Sequence, residues 1–335
     1  MRAPGFWQRP GRGWQAHVLA PLAWLYAAAT ARRVSRPARY RPPCPVICVG
    51  NISAGGTGKT PVVIALVQRL AAEGLAVHVV SRGHGGRLAG PVEVDPGRHN
   101  AGDVGDEPLL IAAFTRVFVG RDRAEAGRMA AEAGAAVIIM DDGHQNPDLA
   151  RDLSLVVVDA QIGFGNRCVI PAGPLREPVP AGLARADALV AIGDDDARAR
   201  FRAGVGQQHP DILGARTEVL PMGMDWQGLR VLAFAGIGRP EKFFATLRGL
   251  GAELVQAVAL DDHQELGNAL IARLAADADR AGAQLVTTEK DAVRLPDRFR
   301  GQVLTLPVRL EFDDPDALDR LLERVVKRGQ GVGRP

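Results

Sequence analysis

Ser53 to Thr60 read Ser-Ala-Gly-Gly-Thr-Gly-Lys-Thr, a run of residue types suited to gripping phosphate. Gly55, Gly56 and Gly58 let the backbone curl so that successive N–H groups point inward at anionic oxygens. Lys59 opens an apolar stretch, Pro61 to Leu70, and a helix there adds its positive N-terminal end. Lys59 then reaches the β- and γ-phosphates of a nucleotide, and Thr60 holds Mg²⁺ through its hydroxyl. Ser53 stands where the usual motif begins with glycine; Ala54 and Thr57 fill the remaining loop positions.

Such a loop needs a buried strand behind it and a helix ahead of it. Pro45 to Val49 supplies the strand. Further strand-like runs follow at Ala76–Val80, Arg116–Val119, Ala136–Met140, Leu155–Val158 and Ala188–Ile192, with helical stretches at 59–72, 107–113, 121–133 and 195–204. This alternation predicts an α/β fold, a P-loop NTPase-like parallel sheet with flanking helices. Gly163 to Gly182 reads as an ordered loop, and the turn-rich stretch Pro221 to Gly228 as a linker. A second alternation runs from Leu229 to Thr287. A strand at Val303–Val308 and a helix at Pro315–Val326 then close a smaller α/β domain. The expected division is 1–42, 43–222 and 223–335.

Four polar clusters sit at predicted strand ends, where ligands of parallel sheets collect. Val137 to Asp142 is an apolar run ending in two carboxylates, and Asp141 and Asp142 fit the metal-supporting acid of a phosphate-loop enzyme. In Pro171–Pro178, Arg176 is a candidate phosphate contact and Glu177 a candidate metal contact, with a surface ion pair as the plain alternative. In Gly105–Pro108 the acids serve equally well as helix caps. Asp261–Gln264 carries a lone histidine.

Composition sets the remaining bounds. A chain of 335 residues exceeds one typical core. Cys44, Cys48 and Cys168 form neither a disulfide framework nor a metal-spaced set. Residues 1–42 hold eight arginines and no acid, so the rest of the chain is net acidic, by about five charges. Within that basic end lies the apolar run Ala16 to Ala31. As a helix it spans ~24 Å, short of a ~30 Å hydrocarbon core, and Pro21 is expected to interrupt it. It reads as a segment lying on a membrane face, with Trp7, Trp14, Trp24 and Tyr26 at headgroup level and arginines on anionic lipid. The alternative is a helix packed on the protein's own core.

Taken together, GNISAGGTGKTP, SRGHGG, GDEP, DDGHQN, PAGPLREP, AFAGIGRPEKFF, DDHQ and VTTEKDAVR occur in the order typical of the tetraacyldisaccharide 4′-kinase family. The resemblance runs from about residue 14 to about residue 295 and includes the N-terminal apolar segment. It implies an enzyme of lipid A biosynthesis that moves the γ-phosphate of ATP onto the 4′-hydroxyl of tetraacyldisaccharide 1-phosphate, giving lipid IVA. The cofactors implied are ATP and Mg²⁺, the partners a lipid substrate and a membrane surface. The implied place is the cytoplasmic face of a Gram-negative inner membrane, peripheral or monotopic. By position it implies nucleotide binding by Ser53–Thr60, metal support from Thr60, Asp142 and Glu177, and a catalytic pair of Asp106 and His263. Two departures stand out. The family's DDGFQH reads DDGHQN here, with His144 and Asn146, and His84 replaces a tyrosine of SRGYGG.

Three rival readings fit the sequence less well. A guanine-reading motif fails because Lys290 and Asp291 are adjacent. A partitioning-type ATPase lacks its signature lysine, which is Ala54 here. A nucleic-acid binder fits poorly with the apolar content of the arginine-rich end and the acidic remainder. No obligate protein partner is evident.

Overall fold

The computed structural model describes residues 4–9, 11–205, 210–221, 223–261 and 264–332. Its larger sheet contains β1 (Val46–Gly50), β2 (Val77–Ser81), β3 (Val92–Glu93), β4 (Arg116–Val119), β5 (Val137–Asp141), β6 (Leu153–Asp159), β7 (Ala188–Ile192) and β8 (Asp211–Val219). The smaller sheet contains β9 (Arg230–Ala235), β10 (Glu253–Ala259), β11 (Gln284–Thr288) and β12 (Leu304–Leu306), and a last strand, β13, covers Val308–Phe312.

The large sheet is ordered β13-β8-β7-β6-β1-β5-β2-β4-β3. It is parallel except at its two edges, β13 on β8 and β3 on β4. The central strands are apolar on both faces because helices cover both sides. Ile47 and Val49 of β1, with Val137 and Ile139 of β5, enter one core, while Val46, Cys48, Ile138 and Met140 enter the opposite one. The helix Lys59–Ala72 buries Val62, Val63, Leu66, Val67 and Leu70, a stripe at helical spacing, in the first of these cores. Strand order reverses at β1, flanked by β5 and β6, which opens a crevice at the carboxyl ends of these strands.

Two expectations change. The closing strand and helix do not belong wholly to the small domain. Pro307 has no N–H to continue a ladder, and the expected strand 303–308 divides there. β12 joins β11, whereas β13 returns to β8. The helix Pro315–Val332 follows it, and Leu318, Leu322 and Val325 join the core under the phosphate-loop helix. Asp319 pairs with Arg69 of that helix. The small domain, β9 to β12, is thus an insertion whose two connections touch: the Leu220 N–H donates to the Pro307 carbonyl at 3.1 Å. β8 was not anticipated because Gly214, Arg216, Thr217 and Glu218 interrupt its apolar run.

The second change concerns Pro21. The helix Trp14–Val34 runs through it unbroken. The carbonyl that loses its partner belongs to His17, an exposed residue. Ala16, Ala23 and Thr30 form the buried face, which packs with Ala27 on the core around Phe164, Val169 and Phe201.

Candidate active site

The phosphate loop leaves β1 and turns into its helix through Gly55 (φ 108°) and Gly58 (φ 90°), conformations that penalise a side chain. Buried Asn51 donates to the Thr57 hydroxyl at 3.0 Å and braces the inner arm. The outer arm is stitched to residues 174–176: Ala54 N–H donates to the Pro174 carbonyl (2.7 Å), and Arg176 N–H to the Ile52 carbonyl (2.7 Å). This stitching delivers Arg176 to the loop.

Register places Val49 opposite Asp141, so the acids ending β5 stand beside the loop. Asp142 adopts φ 51°. Its carboxylate lies 3.4 Å from Lys59 Nζ and 3.0 Å from Arg176. Burial opposes its charge, yet Lys59 and Arg176 hold it down at about 2. Asp141 behaves oppositely. It accepts from the Ser81 hydroxyl at 3.0 Å, while its other oxygen, Oδ1, is buried without a hydrogen-bond partner. Burial, reinforced by Glu107 and Asp142, pushes its carboxyl up to about 7. Thr60, in the first turn of the helix, is buried at the same corner.

Asp106 opens the short helix Asp106–Ile111, held down by close packing of Gly105 on the His84 carbonyl. It is buried, and Oδ2 lies 3.8 Å from Lys290 Nζ and 4.0 Å from Arg294 Nε. Glu107, which lines the cleft, accepts from Lys290 at 3.2 Å. The expected base therefore stands behind its neighbour, under two cations of the small domain. His263 lies outside the described residues. Glu177 is buried beneath the loop, where it accepts from Gln145 (2.8 Å) and pairs with Arg185 (2.8 Å). Gln145 in turn donates to the Asn51 carbonyl, so Glu177 braces the floor of the loop.

A cleft of about 1030 Å³ joins these parts between the two sheets. Lys59, Thr60, Asp142 and Arg176 line it from the large sheet. Gly238, Arg239 and Lys242 line it from the small one, and Tyr26 and Arg33 from the N-terminal helix. Arg82 and Arg123, beyond the ends of β2 and β4, add a second basic wall. Arg123 is buried, donates to the Gly120 carbonyl, and leaves its Nε without a partner.

A family model described as LpxK: Tetraacyldisaccharide-1-P 4'-kinase matches residues 15–327. The chain belongs to the tetraacyldisaccharide-1-P 4′-kinase family. It is 63% identical over 328 residues to the tetraacyldisaccharide 4′-kinase of Dinoroseobacter shibae, covering 96% of this chain and 97% of that one. It is 56% identical over 330 residues to the one from Jannaschia sp., covering 98% and 100%. Among solved structures it is similar to LpxK from Aquifex aeolicus in complex with ATP, with TM-score 0.76 and 26% identity, covering 93% of this chain and 99% of that chain.

Within the tetraacyldisaccharide-1-P 4′-kinase family, the departure at His144 has a structural explanation. A side chain at Gly50 would come within 2.5 Å of the His144 Cβ, so this segment passes directly beneath β1. The Gly182 carbonyl only accepts, so His144 Nε2–H donates to it (2.9 Å) and Nδ1 accepts from the Ser154 hydroxyl (3.1 Å). Burial, then Arg185 and Arg151, depress its pKa to about 3. His144 is a neutral internal strut. His84 is exposed and lines the cleft.

The sequence motifs contain Arg239, Lys242, Lys290 and Arg294 but give them no role in the site, and Asp159 lies outside every motif singled out. Asp159 closes an apolar strand as Asp141 does, a signal that was present. The cations follow the apolar strands β9 and β11, yet only the packing of one sheet against the other gives them neighbours.

Proposed function

We propose that the chain transfers the γ-phosphate of ATP to the 4′-hydroxyl of tetraacyldisaccharide 1-phosphate, giving lipid IVA for lipid A biosynthesis, at the cytoplasmic face of the inner membrane. One observation carries this reading: a single cleft reaches from Lys59 and Thr60 to Tyr26 and Arg33 of the N-terminal helix. A nucleotide seated on the loop and a lipid arriving along that helix meet in one space.

The division of labour follows from the charges. The loop N–H groups and Lys59 hold the β- and γ-phosphates. Arg176 neutralises charge on the transferring group, whose loose transition state rewards positioning and electrostatics. Asp106 accepts the proton of the sugar hydroxyl, with His263 orienting or relaying it, as the family resemblance implies. The basic wall of Arg82 and Arg123 suits the phosphate already on the disaccharide.

The residues suit Mg²⁺. Thr60 offers a hydroxyl, Asp142 an ionised carboxylate, and Asp141 a buried oxygen with no other partner. Among the described residues no three His, Cys, Asp or Glu form a metal-holding group, which accords with a cation completed by phosphate oxygens and water. Bound there, the ion neutralises charge on the transferring phosphate.

The substrate keeps its acyl chains in lipid, at ~0.8 kcal/mol per buried CH₂, so the enzyme must come to it. Among the described residues no helix is long and apolar enough to cross a membrane. Trp14, Val18, Leu22 and Leu25 instead form an outward stripe at helical spacing, 72%, 67%, 55% and 57% exposed. Such a stripe, followed by Arg32, Arg33 and Arg36, fits a helix embedded along the interface.

Incubation with labelled ATP and the tetraacylated disaccharide 1-phosphate in detergent micelles tests the reading. A doubly phosphorylated lipid is the expected product. Free phosphate released at the same rate with or without lipid would point to a nucleotide switch.

A further inference from the structure

Asp159 ends β6, the strand beside β1. Its Oδ2 accepts from two cations of the small domain, Arg239 and Lys242, each at 2.7 Å. Arg239 also donates to Gln161 at 3.0 Å. The carboxylate side chain is 9% exposed, whereas the cations keep 36% and 40% of theirs open, and both line the cleft. Arg239 follows Gly238, whose backbone crosses the phosphate loop so closely that an added methyl would lie 3.4 Å from Gly56 N. Pro240 then starts the helix Pro240–Gly249, which carries Lys242 in its first turn.

The charges do not balance. Lys59 and Arg176 share Asp142, and Arg239 and Lys242 share Asp159, so two carboxylates serve four cations around one loop. An ammonium has three donors and a guanidinium five, and neither small-domain cation has used all of its own. This surplus faces the place where a chain of anionic phosphates would lie.

We propose that Arg239 and Lys242 form a phosphate-gripping arm that the small domain lays over the loop, binding the β- and γ-phosphates of ATP, with Asp159 holding the arm in position. The inference rests on the kinase reading above and adds to it two residues outside the loop motif. An arm of this kind ties closure of the cleft to the triphosphate. Once the γ-phosphate has moved to the lipid, ADP offers it less to hold, and the grip slackens for product release.

The test uses the full-length protein and measures dissociation constants for Mg–ATP and for AMP, which lacks both outer phosphates. Arg239→Ala and Lys242→Ala are each expected to weaken ATP binding about tenfold to a hundredfold, as for loss of a charged hydrogen bond. AMP binding should stay at the parent value, which also reports that the variants fold, and Lys242→Arg should recover most of the ATP affinity. Parent-like ATP binding in both alanine variants overturns the arm, as does an equal loss for ATP and AMP. A parent protein that binds no Mg–ATP overturns the kinase reading and the arm with it.

Discussion

Lys290 of the small domain donates to Glu107 of the large one across 3.2 Å, joining two motifs 183 positions apart in sequence. Behind that contact Arg294 and Asp291 form a buried pair, and Asp291 also accepts from the Gly236 N–H. The EKDAVR segment is therefore a rigid fitting that presents Lys290 to Asp106 and Glu107. With Lys290→Ala these acids keep less positive charge opposite them, and the cleft closes less readily. Turnover at saturating substrates should fall about tenfold, and X-ray scattering should show a larger radius of gyration. Unchanged scattering and rate would remove Lys290 from closure.

Lys59 and Asp106 should separate binding from chemistry. Lys59→Ala is expected to abolish measurable turnover. Asp106→Ala should leave Mg–ATP affinity near the parent value while lowering kcat by ~10²–10⁴-fold, the usual contribution of a positioned base. A near-normal kcat in Asp106→Ala would assign the proton to another group.

His144 should matter for stability and not for rate. Replacing it with phenylalanine, the aromatic type common at this place in the family, removes a donor from the Gly182 carbonyl, which keeps the Arg185 N–H at 3.3 Å, and removes the acceptor of the buried Ser154 hydroxyl, a loss of about 1–3 kcal/mol. Urea unfolding should report that loss while kcat stays at the parent value. A large drop in kcat with stability intact would give the imidazole a part in the reaction.

Asp141 sets a pH trend for the ligand-free protein. Its folded pKa of about 7 lies above the ordinary carboxylate value, so the folded state keeps a proton that the unfolded chain releases. Stability from this group is full below the unfolded value and is lost as pH rises through about 7. Asp142, held at about 2, contributes the opposite trend only at much lower pH. The urea midpoint measured without metal or nucleotide should therefore rise from pH 8 to pH 5, and the rise should vanish in Asp141→Asn. A rise that persists in the variant would belong to other groups.

The outward stripe of the N-terminal helix predicts a separable membrane function. Changing Trp14, Val18, Leu22 and Leu25 to glutamine removes the apolar stripe without touching Ala16, Ala23 or Thr30, which hold the helix to the core. Co-sedimentation with anionic vesicles should be lost, and ATP affinity should not change. Undiminished vesicle binding would leave attachment to the arginines and to Trp24 and Tyr26, which this variant keeps.

The loop, its strand and helix, and the paired acids of β5 were legible in the sequence because each is local: a few adjacent residues carry both the geometry and the chemistry. Legibility ended where partners come from distant segments. Glu177 stands out by residue type and motif, but its pairing with Arg185 and Gln145 depends on segments the motif does not contain. Asp106 lies in a motif the sequence singles out, but its cover by Lys290 depends on how two sheets meet. The strand 303–308 was read as one element because apolar residues flank Pro307 on both sides, and the proline divides it between sheets.

The paired crossings at Leu220 and Pro307 restrict how the cleft can open. A domain carried on a single strand could swivel and slide; one carried on two neighbouring strands, hydrogen-bonded at the point of exit, keeps chiefly the freedom to tilt about the line they share. Opening and closing about that line would retrace one arc, so that residues facing each other across the gap would meet again in the same pairing.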